Sequence, residues 1–272
     1  MLVVRRYSSA LRLLTLALIC VVATLLRIPG NALVHGPLQA GIYADVSTNW
    51  AGYIYSAPGI DSVGGTWIVP QVADGYGTSA SSIWVGIGGS TTNDLIQAGT
   101  EQDLISGQPV YYAWYETLPT PAQRVRMDVA PGDQITVRIA EVAPNQWSVV
   151  IANGTNGQMA QLTLFYTSSH SSAEWIVEAP TLQNNRTGER RQLPLANFGA
   201  VHFSGIAATQ LGSAINPLAA TPVIMAERRT RLKLADVSPI SNGAFDVLYV
   251  GGAVSTGINP PPFERESAVL PR

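Results

Sequence analysis

The stretch "SSAEWIVEAP", residues 171–180, sets the fold class. Trp175, Ile176 and Val177 stand together and Pro180 closes the run, as at the end of a β-strand. Side chains alternate across a strand. Trp175 and Val177 therefore face one way, and Glu174, Ile176 and Glu178 face the other. Only 12% of the chain is charged, so two carboxylates on one strand face need a reason. They are four residues apart, about 13 Å at about 3.3 Å per residue. The paired acids of a glycoside hydrolase stand about 5 to 9.5 Å apart, so these two do not form such a pair. Either can still find a partner on a neighbouring strand.

The same alternation recurs on both sides. Short apolar runs include "NWAGYIY" (49–55), "GGTWIVPQV" (64–72), "SSIWVGIGG" (81–89), "DLIQAGTE" (94–101), "VYYAWYET" (110–117) and "VRMDVA" (125–130). Further on stand "ITVRIAEV" (135–142), "WSVVIAN" (147–153), "QLTLFYT" (161–167), "VHFSGIAA" (201–208), "TPVIMAE" (221–227) and "FDVLYV" (245–250). Turn signals such as "PG", "DG" and "NG" separate them. No long stretch after the N-terminus has helical periodicity. Many short, evenly spaced strands predict an all-β antiparallel sandwich. No linker interrupts the middle, so one domain is expected over residues 47–258, with a Pro-rich flexible tail over 259–272. Trp67 and Trp147 read as core residues. Trp50, Trp84 and Trp114 stand beside polar or glycine-rich residues and are candidates for lining a groove.

At the N-terminus, Arg5, Arg6 and Arg12 precede the apolar run "LLTLALICVVATLL", residues 13–26. A basic region before a short hydrophobic one reads as a secretory signal; a membrane-spanning helix needs about 20 apolar residues. The expected signal covers residues 1–32, with a linker or short pro-segment over 33–46. A membrane is a partner only if that first segment stays uncleaved. Cleavage removes four of the 16 basic residues and none of the 18 acidic ones, leaving 12 against 18, a formal charge of −6. It also removes Cys20, the only cysteine, so the mature chain carries no disulfide. No basic patch points to nucleic acid. The scarcity of charge suits acidic surroundings, because acid unfolds proteins largely by protonating carboxylates that are paired in the native state.

The available chemistry is narrow. His35, His170 and His202 share no metal-binding spacing, and no metal or cofactor is expected. No GxSxG elbow marks a serine nucleophile, and no GxxxxGK[ST] loop marks a phosphate site. Carboxylates remain: Glu101, Glu116, Glu141, Glu174 and Glu178 all fall on expected strands.

Several motifs coincide in order: "NWAGYI" within 47–54, "WVGIGG" (84–89), "LIQAG" (95–99), "YYAWYETLP" (111–119), "PGDQITVRI" (131–139), "NGTNGQ" (153–158), "AEWIVEAP" (173–180) and "LANFGAVHF" (195–203). Together they resemble the eqolisin family of glutamic peptidases. That resemblance covers about residues 47–250. It implies a sandwich of two curved antiparallel sheets with a substrate groove on the concave one. It implies a secreted endopeptidase that cleaves polypeptides in acid, resists pepstatin and needs no metal. The family glutamine maps to Gln97 and the family glutamate to Glu178. Elementary chemistry fits these roles: a carboxylate can activate water and return its proton to the leaving amine, and an amide N–H can hold the oxyanion. Trp50, Trp84 and Glu116 match further positions near the groove, for substrate contact or support. The chain departs from the fungal pattern at Gly88, Tyr112 and Ala179-Pro180, and looks more like a bacterial or archaeal relative. A monomer is expected. The competing reading is a non-catalytic or glycan-active protein on the same concave sandwich, since fold does not fix function.

Overall fold

A computed structural model describes residues 31–36, 46–73, 77–184 and 186–251. Most of the expected signal, Cys20, most of the 33–46 linker and the 259–272 tail lie outside the described residues. Within them the chain forms strands β1 (Asn31–Val34), β2 (Val46–Ser47), β3 (Trp50–Ser56), β4 (Ile60–Ile68), β5 (Ser79–Ile87), β6 (Ile96–Ile105) and β7 (Gln108–Thr117). Next come β8 (Thr120–Arg124), β9 (Gln134–Ala143), β10 (Gln146–Asn153), β11 (Met159–Phe165), β12 (Ser172–Glu178) and β13 (Thr181–Asn184). The last are β14 (Arg190–Gln192), β15 (Ala200–Gln210), β16 (Ser213–Ala214), β17 (Thr221–Ala226), β18 (Lys233–Val237) and β19 (Phe245–Tyr249). One short 3-10 turn, Pro217–Ala219, is the only helical element among the described residues.

The strands form two antiparallel layers. The outer layer runs β11-β10-β9-β4-β15-β19-β18-β17, with the little β2 lying parallel to β17. It continues through β17 into the second layer, β3-β12-β5-β6-β7-β8. Their facing sides share one apolar core, including Trp67, Trp147, Val149, Val85, Trp175, Val177 and Phe203. Two indoles stitch the layers together: Trp175 Nε1 donates to the Gly64 carbonyl at 2.8 Å, and Trp67 Nε1 donates to Thr100 Oγ1 at 3.0 Å. Gly65 makes this approach possible, because a Cβ there would sit 3.2 Å from both Trp175 and Val85. The all-β expectation holds, and Trp67 and Trp147 are core residues.

One expected strand is absent. Residues 125–130, "VRMDVA", form no ladder. The pairing with β7 is made instead by β8, just before them. Their alternation is still real: Val125, Met127 and Val129 pack against the core. Their backbone is satisfied by other means, such as Asp128 N donating to Gln158 Oε1 at 2.8 Å. Period-two packing therefore does not require a strand partner. Sequence reading also passed over β13, β14 and β18, which are short, the first two also polar. A three-stranded sheet, β1-β13-β14, lies beside the main layers, and the expected boundary between residues 32 and 33 falls inside β1.

Candidate active site

The second layer is buried on both sides. Its far face carries a second apolar cluster of Trp50, Ile54, Trp84, Leu95, Tyr112, Trp114, Ile176 and Val223. The strand register places polar residues around it. Glu174, Gly86, Gln97 and Glu116 form one row across β12, β5, β6 and β7, each paired with the next. Two residues along, Ile176, Trp84, Gly99 and Trp114 form a second row. Glu178, Ser82, Glu101 and Tyr112 form a third. Gly99 gives the Trp84 strand its close approach, since a Cβ there would meet Trp84 Cβ at 2.7 Å.

Glu178 is fully buried and surrounded by donors. Trp84 Nε1 donates to its Oε2 at 2.9 Å. Asn49 Nδ2 and the Gly36 backbone N–H both donate to its Oε1 at 3.0 Å. Burial pushes the carboxyl up to about 8; the positive His35 and the Gly36 and Trp84 N–H groups act against that rise, and Glu116 adds to it. Gln97 is oriented by two accepting oxygens. Its Nε2 donates to Glu116 Oε2 at 2.7 Å and to the His35 carbonyl at 3.1 Å. Glu116 Oε2 also accepts from the His35 backbone N–H at 3.0 Å. Burial raises the Glu116 carboxyl, against the pull of His35 and Gln97.

Gln97 and Glu178 thus meet on one peptide unit, His35–Gly36, supplied by the N-terminal end of the described chain. Gln97 holds its carbonyl oxygen and Glu178 accepts from its nitrogen. Asn49 closes the arrangement by donating to the Gly36 carbonyl at 2.8 Å. The preceding residues add an antiparallel strand to β13, from Asn31 opposite Asn184 to Val34 opposite Thr181. An extended peptide on a strand edge, with its side chains entering alternate pockets, is a standard mode of peptide capture.

Residues 48–249 match the Peptidase A4 family. The chain belongs to that family. This eqolisin is a glutamic endopeptidase, a hydrolase of peptide bonds. It is 29% identical over 248 residues to aspergillopepsin-2 of Aspergillus niger, across 82% of this chain and 85% of that protein. Scytalido-glutamic peptidase, solved with a transition state analog inhibitor, superposes with a TM-score of 0.68 at 26% identity, covering 75% of this chain and 98% of that one. The eqolisin SCP-B, solved with the tripeptide Ala-Ile-His, gives a TM-score of 0.64 at 26% identity over the same shares.

Among the expected site residues of this peptidase, Gln97, Glu178, Trp84 and Glu116 come together. Trp50 stands one shell further out, its ring edge-on to Trp84 at 5.1 Å. Glu174 is different from Glu178. It is equally buried, but neither carboxyl oxygen makes a well-formed hydrogen bond. Burial raises its carboxyl well above the usual range, weakly opposed by the Ser172 hydroxyl. Gly88, where the fungal pattern has aspartate, adopts φ +87°, and a Cβ there would lie 2.8 Å from Asp94 Oδ2. Tyr112 carries the Arg124 guanidinium 3.6 Å above its ring. Ala179 keeps a main-chain role, its N–H donating to the Asn49 carbonyl at 2.8 Å. Sequence reading missed Asn49 and the pair His35–Gly36. Asn49 opens the quoted "NWAGYI" motif, which was a usable signal; nothing local marks His35.

Proposed function

We propose that this chain is an exported acid endopeptidase that cuts polypeptides with Gln97 and Glu178. One observation carries the reading: a single peptide unit lies with its oxygen on Gln97 and its nitrogen on Glu178. The attacking water solvates Glu178 as it enters and so weakens burial, the main cause of the carboxyl's upward shift. The ionised carboxylate takes a proton from the attacking water. The hydroxide adds to the carbonyl carbon, and the Gln97 N–H holds the oxyanion that forms. Glu178 then gives its proton to the leaving nitrogen, and the C–N bond breaks. Trp84 and Asn49 keep the carboxyl in place, and Glu116 keeps the Gln97 amide turned toward the oxygen. Every step uses side chains of this chain and water.

Export rests on the basic and apolar N-terminus. Among the described residues no helix is long and apolar enough to cross a membrane. The tripeptide Ala-Ile-His of the related SCP-B has the same order, two aliphatic residues and then histidine, as Leu33-Val34-His35 here. The test is digestion of a denatured protein at pH 2 to 5 by wild type, Glu178→Gln and Gln97→Ala. Wild type is expected to cleave and both variants to slow by at least about 10²-fold. Cleavage by Glu178→Gln at the wild-type rate would show that another group activates the water.

A further inference from the structure

The His35 side chain lies in a pocket of its own. Its ring stacks on Trp114, with centroids 3.9 Å apart and planes 10° from parallel. Nε2 stands 3.2 Å from Glu101 Oε2, and Nδ1 stands 3.4 Å from Glu116 Oε2. All four residues are fully buried. One flat aromatic wall and a carboxylate near each ring nitrogen fit a planar cation with donors at both ends. The groups around it are mostly acidic. Glu101 and Asp103 come from β6, Glu116 from β7 and Glu178 from β12, while Arg124 of β8 offsets Asp103 from beyond Tyr112. Burial alone would lower the imidazole, but Glu101 and Glu116 more than reverse that and hold it well above its usual value. One oxygen of Glu101 and one of Glu116 make no hydrogen bond, and His35 Nδ1 forms none with Glu116 at 3.4 Å, so the pocket has acceptors to spare for a donor that reaches further.

We propose that Glu101, Trp114 and Glu116 form a subsite that selects a planar cationic side chain, imidazolium or guanidinium, on the acyl side of the cleaved bond, and that the chain's own His35–Gly36 bond is its first substrate. The proposal rests on the Gln97–Glu178 reading above and adds to it the identity of the residue before the cut. Glu178 takes one proton from water as the water oxygen adds to the His35 carbonyl carbon, the bond to Gly36 N breaks, and that nitrogen takes the same proton back from Glu178. The products are a carboxyl group on His35 and a new amino terminus at Gly36. Leu33 and Val34 fit apolar positions: Val34 is buried, and Leu33 packs against the Trp84 cluster. After the cut the groove is narrow. Gly36 has φ +145°, and a Cβ there would meet Leu118 Cδ1 at 3.0 Å.

The full chain is held at pH 4 and its new N-terminus is sequenced, alongside Glu178→Gln, His35→Arg and His35→Glu. Wild type and His35→Arg are expected to begin at Gly36, Glu178→Gln to stay intact at that bond, and His35→Glu to slow by about tenfold or more, as expected for losing a charge-assisted contact. The processed enzyme is then given two peptides that differ only in having His or Phe before glycine. Its kcat/KM is expected to favour His at pH 5, and Glu101→Gln to shrink the His-to-Phe ratio. Should Glu101→Gln fail to fold, wild type alone suffices: preference for His over Arg is expected to fall as pH rises through about 6.5, the ordinary imidazole pKa. Cleavage of both peptides without preference, or a first cut elsewhere, overturns the subsite and leaves the dyad standing. No cleavage of any peptide or protein overturns the dyad, and the subsite with it.

Discussion

The two layers of the sandwich use their outward faces differently. In the first, β9, β10 and β11 alternate between core and solvent, as a one-sided sheet does. In the second, all seven residues of β12 are buried, as are all but one residue of both β5 and β6. The outward positions of this layer are not apolar throughout. Glu174, Glu178, Gln97, Glu101 and Glu116 lie there beside Trp84 and Trp114. The first layer shows how little is needed to hold the fold: one apolar face and a wet one. The second shows the added cost of a site, several carboxyl groups kept from water by a peptide laid over them.

That difference can be broken by mutation. Glu178→Gln is expected to have the largest effect, lowering turnover by about 10²- to 10⁴-fold, the usual range for a general acid–base, read as kcat on a denatured protein. Gln97→Ala comes next, about 10²- to 10³-fold in kcat, as for an oxyanion donor elsewhere. In the first layer, Ile139→Ala removes a fully buried side chain. It should cost about 2 to 5 kcal/mol of stability, with little change across pH.

The buried carboxyls give the second layer a pH dependence of known sign. Asp103, Glu116, Glu174 and Glu178 all have carboxyl groups pushed upward, chiefly by burial. His35 is also raised, by its acidic neighbours. In each case the folded chain holds protons that the unfolded chain releases, so stability falls as pH rises. For Glu178 the loss starts at its ordinary 4.5 and continues to about 8. For His35 it starts near 6.5. Asp94 acts in the opposite direction and loses its contribution only as pH falls below its ordinary 3.8. Thermal unfolding of the full chain carrying Gln97→Ala, which keeps the N-terminal segment uncut, should therefore show a higher midpoint at pH 5 than at pH 8. The smallest effect is the most local: Glu174→Gln should leave the midpoint at pH 5 nearly unchanged and flatten its decline toward pH 8.

Much of this was legible in the sequence. The alternation in "AEWIVEA" separates Trp175 and Val177 from Glu174, Ile176 and Glu178, and both groups lie where that alternation puts them. The motifs around Gln97, Trp84 and Glu116 also lead to one place. Other parts left no local mark. His35 meets Glu116 across 81 positions, and Gly36 meets Glu178 across 142. Only the closed sheet brings them together. The "VRMDVA" run misled because side-chain packing and strand pairing are separate requirements, and it meets only the first. Glu101 resembled any solvated strand acid until the His35 ring appeared beside it.

Two glutamates on one strand, equally buried and four residues apart, remain the sharpest contrast in the molecule. One has three donors and touches a peptide nitrogen; the other has no well-formed hydrogen bond. The most direct measurement compares kcat of Glu174→Gln and Glu178→Gln on the same denatured protein at pH 4. The expected result is loss of at least about 10²-fold for Glu178→Gln and turnover of the wild-type order for Glu174→Gln. Equal losses, or the reverse order, would contradict the assignment of Glu178 as the group that moves the proton.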